Sequence, residues 1–232
     1  MRGTLITASA LALALVVACG PAKSGSGLAL GAAPWKDGDK ASYDVVDRSG
    51  TKLGTSVFEF AADGEAWVVS FVEKVASLDQ AGKVRVEAST LRPLGEEKTL
   101  RVPGTDATVN LSYKNGKLEI NAVVNGQNKQ ASLDVPADAL ENDQLLMTLR
   151  ALRFAEGYEG RYTNVVGQNA LKVNTTVRVK GKEEVTVPAG TFQTWRVELD
   201  FVQARQTVWY QLDAPHNMVQ YDNGTTRYVL TR

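Results

Sequence analysis

The 232-residue chain is poor in the side chains that most often carry chemistry, with one cysteine and one histidine. A single cysteine excludes an intramolecular disulfide. A single histidine excludes a zinc site built on two imidazoles, and it would have to serve any serine triad alone. There is no Gly-x-Ser-x-Gly elbow to present a nucleophile to it, and phosphate-cradling glycine loops are missing as well. Neither sign of charge is in excess, 26 basic side chains facing 26 acidic ones. No basic run is long enough to track a phosphate backbone, so nucleic acid is excluded as a partner. Long apolar runs are also lacking: residues 11–17 fall short of the roughly 20 needed to span a bilayer.

What the first residues do contain is a short charged start (Arg2), that apolar run and Val16-Val17-Ala18-Cys19. The run reads as the core of a secretory signal, residues 1–18. Its last four residues resemble a bacterial lipobox, which implies cleavage between Ala18 and Cys19 and lipidation of Cys19, with a thioether-linked diacylglycerol and an amide-linked fatty acid such as palmitate. Two or three acyl chains anchor far more firmly than one, at roughly 0.8 kcal/mol per buried methylene. The membrane is therefore an expected partner, held through the anchor. Gly20 stands where an aspartate would favour inner-membrane retention, which points to the outer membrane, facing the periplasm. Residues 19–34 are rich in glycine, serine and alanine and read as the lipidated cysteine and a flexible tether. Residues 35–232 remain for a single β-rich domain. Cleavage removes only Arg2 among charged side chains, leaving 25 basic against 26 acidic.

From Ala41 onward, alternating apolar residues are punctuated by glycine turns. Asn115-Gly116, Asn125-Gly126 and Asn223-Gly224 tolerate the positive φ of tight hairpins; Asp63-Gly64, Ser49-Gly50 and Ala81-Gly82 are further turn candidates. The strands expected are residues 41–48, 52–60, 66–75, 83–91, 108–113, 117–124 and 127–133, then 171–179, 183–187, 191–202, 206–212, 218–221 and 225–230. Short turns force antiparallel neighbours, so the expected fold is mainly β: a curved antiparallel meander sheet or open half-barrel. One interruption, residues 137–154, predicts an amphipathic helix of about four turns packed on the sheet, with Asp138 and Glu141 as a capping box and Leu145, Leu149 and Leu152 on one face. Pro188-Ala189-Gly190 sits between two alternating runs and reads as a corner, Pro188 fixing φ and Gly190 free to take a positive one.

A catalytic site needs convergent reactive groups. His216, in Asp213-Ala214-Pro215-His216-Asn217, reads as an exposed loop residue. Glu96-Glu97 and Glu183-Glu184 are adjacent pairs, and neighbours in a strand point to opposite faces; distant acids could still meet, as the pair of a glycosidase must. Asp37-Gly38-Asp39 is too short for a calcium loop. No catalytic residue, metal site or cofactor is expected. Arg150 and Arg153, three apart on the helix, either engage a lipid headgroup or acidic partner or pair with Asp143 or Glu156 at the surface. Trp35, Trp67, Trp195 and Trp209 either line a cavity or fill a core; with the two arginines, Trp195 and Trp209 are the candidates for contact with a ligand or partner.

The stretch Gly181-Lys182-Glu183-Glu184-Val185-Thr186-Val187-Pro188-Ala189-Gly190-Thr191-Phe192 resembles the most characteristic segment of the bacterial envelope family called domain of unknown function 3108. Gly38-Asp39 followed by Tyr43, the helical residues 143–150, and Trp209 followed by Val219 agree with it. The resemblance implies a secreted or periplasmic protein whose curved sheet wraps a helix, similar to lipoprotein carriers, and it brings no activity. Three readings stay open: a non-enzymatic tethered module binding a lipid or other apolar ligand between sheet and helix, a structural envelope protein with a filled core that contacts a protein partner, and a hydrolase using a carboxylate pair. What separates the first two is whether Phe58, Phe60, Phe71 and Trp195 fill the inward face or leave a void.

Overall fold

A computed structural model describes residues 25–201 and 204–231; Ala18, Cys19 and the signal segment lie outside the described residues. The first half of the chain is a meander of hairpins: β2 (Lys40–Val46), β3 (Lys52–Asp63), β4 (Ala66–Val75), β5 (Leu78–Glu87), β6 (Pro93–Val102), β7 (Thr105–Lys114), β8 (Lys117–Val124) and β9 (Gln127–Asp134). They follow β1 (Gly25–Ser26). The chain then crosses through β10 (Ala139–Glu141) and a helical segment to the far side of the sheet. There it resumes with β11 (Glu159–Val166), β12 (Leu171–Val187), β13 (Gly190–Asp200), β14 (Arg205–Gln211), β15 (Met218–Asp222) and β16 (Arg227–Leu230). The last strand pairs with β2, so the two meanders form one continuous sheet from β11 through β16 and β2 to β9. Every pairing along that path is antiparallel; only β1 and β10 join β11 in parallel. The sheet is open and strongly curved. Its two ends approach each other, and Val109, Leu111, Leu118 and Ile120 of β7 and β8 pack with Ala139 and Val165 in a second apolar cluster.

The turns form where Asn-Gly and Asp-Gly permit them. Asn115 and Gly116 have φ of 54° and 74°, and Asn125 and Gly126 have 51° and 77°, the pair of positive values that matches strand twist. Pro188-Ala189-Gly190 is the expected corner, with Val187 paired to Gly190 and φ of +136° at that glycine. Ala81-Gly82, however, is no turn. The turn falls at Ala76-Ser77, and Gly82 lies inside β5 opposite Phe71, where a Cβ would come within 2.6 Å of the ring Cζ. The glycine serves close packing.

Two further expectations change. β12 is one strand of 17 residues with a bulge between Val179 and Gly181, rather than two strands. The helix is shorter than four turns. Its α-helical part, α1, is Leu145–Thr148, flanked by 3-10 turns at Asn142–Gln144 and Leu149–Ala151. The expected capping box is absent: Glu141 makes no side-chain cap bond, and residues 139–141 are a strand. The leucines explain this. Leu145, Leu149 and Leu152 are joined by Met147 and Ala151 as buried residues, so the segment is enclosed by the curved sheet on almost all sides. It needs no long polar face of the kind a surface helix presents. Residues 25–31, part of the stretch read as a tether, lie along the domain: Gly27 N donates to Arg161 O at 3.0 Å and Gly31 N to Ala151 O at 2.7 Å.

Candidate functional site

The residues singled out from the sequence do not converge. Arg150 is 2 % exposed. Its Nε donates to Pro215 O at 3.3 Å, its Nη2 to Asn217 Oδ1 at 2.6 Å, and its guanidinium lies 5.2 Å from the Phe60 ring centre. Burial lowers its pKa. It ties the helical segment to the β14–β15 loop from inside, so it meets neither a headgroup nor Asp143 or Glu156 at the surface. Arg153, by contrast, is exposed. Trp195 stacks on Phe154 with ring centres 6.1 Å apart, and Lys182 Nζ sits 4.9 Å from the Trp195 ring centre. Trp209 is one residue further along the β13–β14 ladder, paired with Arg196, and its indole N–H donates to Glu183. Trp35 stacks on Phe60 at 5.1 Å and meets Trp67 edge-on at 5.9 Å. Trp35 and Trp67 thus meet each other, while Trp195 and Trp209 lie on β13 and β14. His216 is half-buried rather than exposed, 4.8 Å from the Phe154 ring centre, with Nδ1 2.9 Å from Gln211 O.

What does converge is a set of acids that are distant in sequence. Glu96 and Lys98, two apart on β6, point inward on one face while Glu97 points out, as alternation requires. They meet Glu141 at the end of β10 and Asp143 in the first helical turn. Lys98 Nζ donates to Asp143 Oδ2 at 2.5 Å. The Tyr113 hydroxyl on β7 donates to Glu141 Oε2, and Gly167 N donates to Glu141 Oε1 at 3.3 Å. Burial, reinforced by the neighbouring charges of Asp143 and Glu141, pushes the Glu96 carboxyl up to about 10. It is protonated at neutral pH and hydrogen-bonded to Asp143. Burial also raises Glu141, though the bond from Tyr113 opposes it. Asp143 goes the other way: burial works against its ionisation, but the Lys98 ammonium and the bonds from Glu96, Lys98 and Asn142 outweigh that and hold it below the usual carboxylate range. One buried ion pair, a neutral Glu96 beside it and a Glu141 whose ionisation is opposed by burial are how a low-dielectric interior accommodates four ionisable groups. The sequence did not point here. The only available signal was a Glu-x-Lys spacing at inward positions of a strand that was itself missed.

Asp143 is also where this cluster reaches a cleft. About 460 Å³ in volume, it lies between sheet and helical segment at one mouth of the half-barrel. Phe58, Phe71, Glu73, Leu78 and Gln80 of β3 to β5 form one wall, and Asn164, Val166, Val173, Phe201 and Gln206 the other. Tyr221 and Tyr228 stand behind, and Asn142, Asp143, Leu145 and Leu146 make the floor. The polar groups are mostly engaged with one another. Tyr228 OH donates to Glu73 Oε1, Gln80 Nε2 donates to Glu73 Oε2 at 2.9 Å, and Tyr221 OH donates to Gln206 Oε1 at 2.7 Å. Asn164 is the exception. Its Nδ2 donates to Asn142 Oδ1 at 3.1 Å, but its Oδ1 is buried with no partner. Among the described residues no group of three or more His, Cys, Asp or Glu side chains could hold a metal ion. Most of the residues that line the cleft, Phe58, Phe71, Asp143, Leu145 and Tyr228 among them, lie in strands or the helical segment legible in the sequence; Asn164 and Val166 come from β11, which was not.

An open half-barrel closed on a buried helical segment, with an amphipathic cleft at its mouth, is the class of protein this fold defines. The chain matches over residues 33–231 the family described as a protein of unknown function, DUF3108, and belongs to it. No curated protein matches it. Among solved structures it is similar to a β-barrel-like protein of domain of unknown function DUF1849 from Brucella abortus, with TM-score 0.55, 15 % identity, and coverage of 82 % of this chain and 94 % of that one. A candidate lipoprotein from Parabacteroides distasonis aligns with TM-score 0.32 and 12 % identity, over 90 % of this chain and 99 % of that one. A candidate exported protein with a YmcC-like fold from Bacteroides fragilis aligns with TM-score 0.31 and 10 % identity, over 88 % and 98 %. At 15 % identity the likeness to the Brucella abortus protein is one of fold alone.

Proposed function

We propose that the protein is a non-enzymatic lipoprotein of the bacterial cell envelope, anchored through Cys19 to the outer membrane and facing the periplasm, that binds a lipid or other apolar ligand between sheet and helix. The observation that carries this reading is the cleft of about 460 Å³. Its size falls within the range of roughly 300–1,000 Å³ common for small-molecule sites. Its lining is mixed, with Phe58, Phe71, Leu145, Leu146, Val166 and Phe201 giving an apolar surface and about as many polar side chains set among them. A non-enzymatic role is supported by the acid cluster, in which Asp143 is already engaged by Lys98, Glu96 and Asn142.

The test uses the chain starting at Gly20, produced in the periplasm and extracted for lipid mass spectrometry beside a matched control protein. A stoichiometric lipid or apolar molecule, together with binding of the neutral fluorophore N-phenyl-1-naphthylamine, supports the reading. A clean extract and no fluorophore binding overturn it. A second reading, contact with an envelope protein partner, is favoured by β9. This strand ends the described sheet, with nearly all its side chains exposed, and a free edge can accept an added strand. Crosslinks from β9 to one envelope protein would favour that reading.

A further inference from the structure

The cleft's charge is one-sided. Among the described residues that line it there are two carboxylates, Glu73 and Asp143, and no lysine, arginine or histidine. Lys98 is absent from the lining and neutralises Asp143 from behind. Glu73 has no such neighbour: its oxygens receive Tyr228 OH and Gln80 Nε2, both uncharged donors, and among the described residues it is in no ion pair. Asn164, 2 % exposed, adds an acceptor, since its Oδ1 is unpartnered while its Nδ2 is already used. A buried acceptor without a donor is costly, and a ligand that supplies the donor recovers that cost. The tyrosine hydroxyls are spent on Glu73 and Gln206, so among the described lining residues only side-chain amides, such as Gln206 Nε2, are left to donate to an anion, and none of them carries a charge.

Resting on the reading of the cleft as a ligand site, we propose that it selects an amphipath with a cationic, hydrogen-bond-donating end, a primary ammonium on an apolar chain, and rejects one that ends in a carboxylate or phosphate. The apolar chain lies among the phenylalanine and leucine side chains, and the ammonium pairs with Glu73. An anion brought to the same place meets the Glu73 carboxylate with no cation in the lining to receive it.

The test is displacement of N-phenyl-1-naphthylamine from the chain starting at Gly20 by decylamine, decanol and decanoate, each below its micellisation concentration at pH 7.4. The expected order is amine, then alcohol, then carboxylate, with about a tenfold difference between amine and carboxylate, the step that one charge-assisted contact gives. In Glu73→Gln, which keeps an acceptor and loses the charge, the amine advantage is expected to shrink toward the alcohol while decanol is unaffected. Carboxylate binding as tight as amine binding overturns the selectivity and leaves the cleft reading standing. Amine preference that survives Glu73→Gln overturns the role given to Glu73. Failure of the fluorophore to bind at all overturns the cleft reading and the selectivity with it.

Discussion

At the scale of single residues, the buried acids couple the fold to pH. The folded-state values of Glu96 and Glu141 are raised from 4.5 to about 10 and about 7. For both, stability is fully present below about 4.5, where the acid is protonated in folded and unfolded chains alike. It is lost as pH rises through those raised values, because only the unfolded chain ionises freely. Asp143, depressed, contributes above its unfolded value of 3.8 and loses its contribution as pH falls through the lower folded value. The denaturant midpoint is therefore expected to peak at about pH 4 to 5 and to fall toward pH 8. Glu96→Gln, which keeps a donor toward Asp143, should flatten that fall. A midpoint that climbs steadily from pH 5 to pH 8 would contradict the assignment. Gly82 offers a steric test at the same scale. Its φ is ordinary, but the space where a Cβ would go is occupied by the Phe71 ring, with Cζ and Cε1 within 2.6 and 2.7 Å. Gly82→Ala should cost about 1–3 kcal/mol in thermal or chemical unfolding, as overpacking does. No sequence rule distinguishes this glycine from a turn glycine, because the ring that needs the space lies on the neighbouring strand.

The elements legible in the sequence were those whose signal is local. The hairpins turning at Asn115-Gly116 and Asn125-Gly126 announce themselves through turn residues and flanking alternation. β6 and β11 did not, and each for a physical reason. β6 turns Glu96 and Lys98 inward, so its buried positions are polar and its alternation is invisible. In β11, Tyr162, Thr163, Asn164 and Val165 are buried in succession, so that both faces of the strand are covered there. Continuous burial erases the period of two. The helical segment was placed correctly but read as too long, since leucines on several faces suit enclosure as well as an amphipathic stripe. Enclosure makes a prediction. Leu149 is wholly buried within the main cluster, so Leu149→Ala should cost about 2–5 kcal/mol in an unfolding titration. Arg153→Ala, four residues on at the surface, should stay within about 0.5 kcal/mol. Equal effects at the two positions would mean that the segment lies on the sheet rather than inside it.

For the whole molecule, the pairings that make one sheet out of two meanders join residues far apart in the chain, such as Tyr43 with Leu230 and Leu140 with Asn164. Alternation and turn residues specify which stretches are strands and which neighbours pair through short turns. They do not specify that the last strand returns to β2, or that β10 lies parallel to β11. The same non-local geometry builds the acid cluster, whose members come from β6, β7, β10 and the helical segment, so it was out of reach of any reading of adjacent residues. It also joins the two ends of the open sheet, because Tyr113 on β7 donates to Glu141 on β10. Tyr113→Phe removes that donor while preserving the ring. Glu141 then keeps Gly167 N at 3.3 Å and loses the bond that most favours its ionised form, so its pKa should rise further. Leaving a buried acceptor underused costs about 1–3 kcal/mol, and the loss should be larger at pH 8 than at pH 5, because only the ionised acid needs the donor strongly. Amide exchange should locate the effect: faster opening in β7, β8, β10 and β11, where the two ends meet, and unchanged protection in β2, β3 and β4. Uniformly faster exchange across all strands would instead mean that the Tyr113 contact supports the fold as a whole and is not a local latch between its ends.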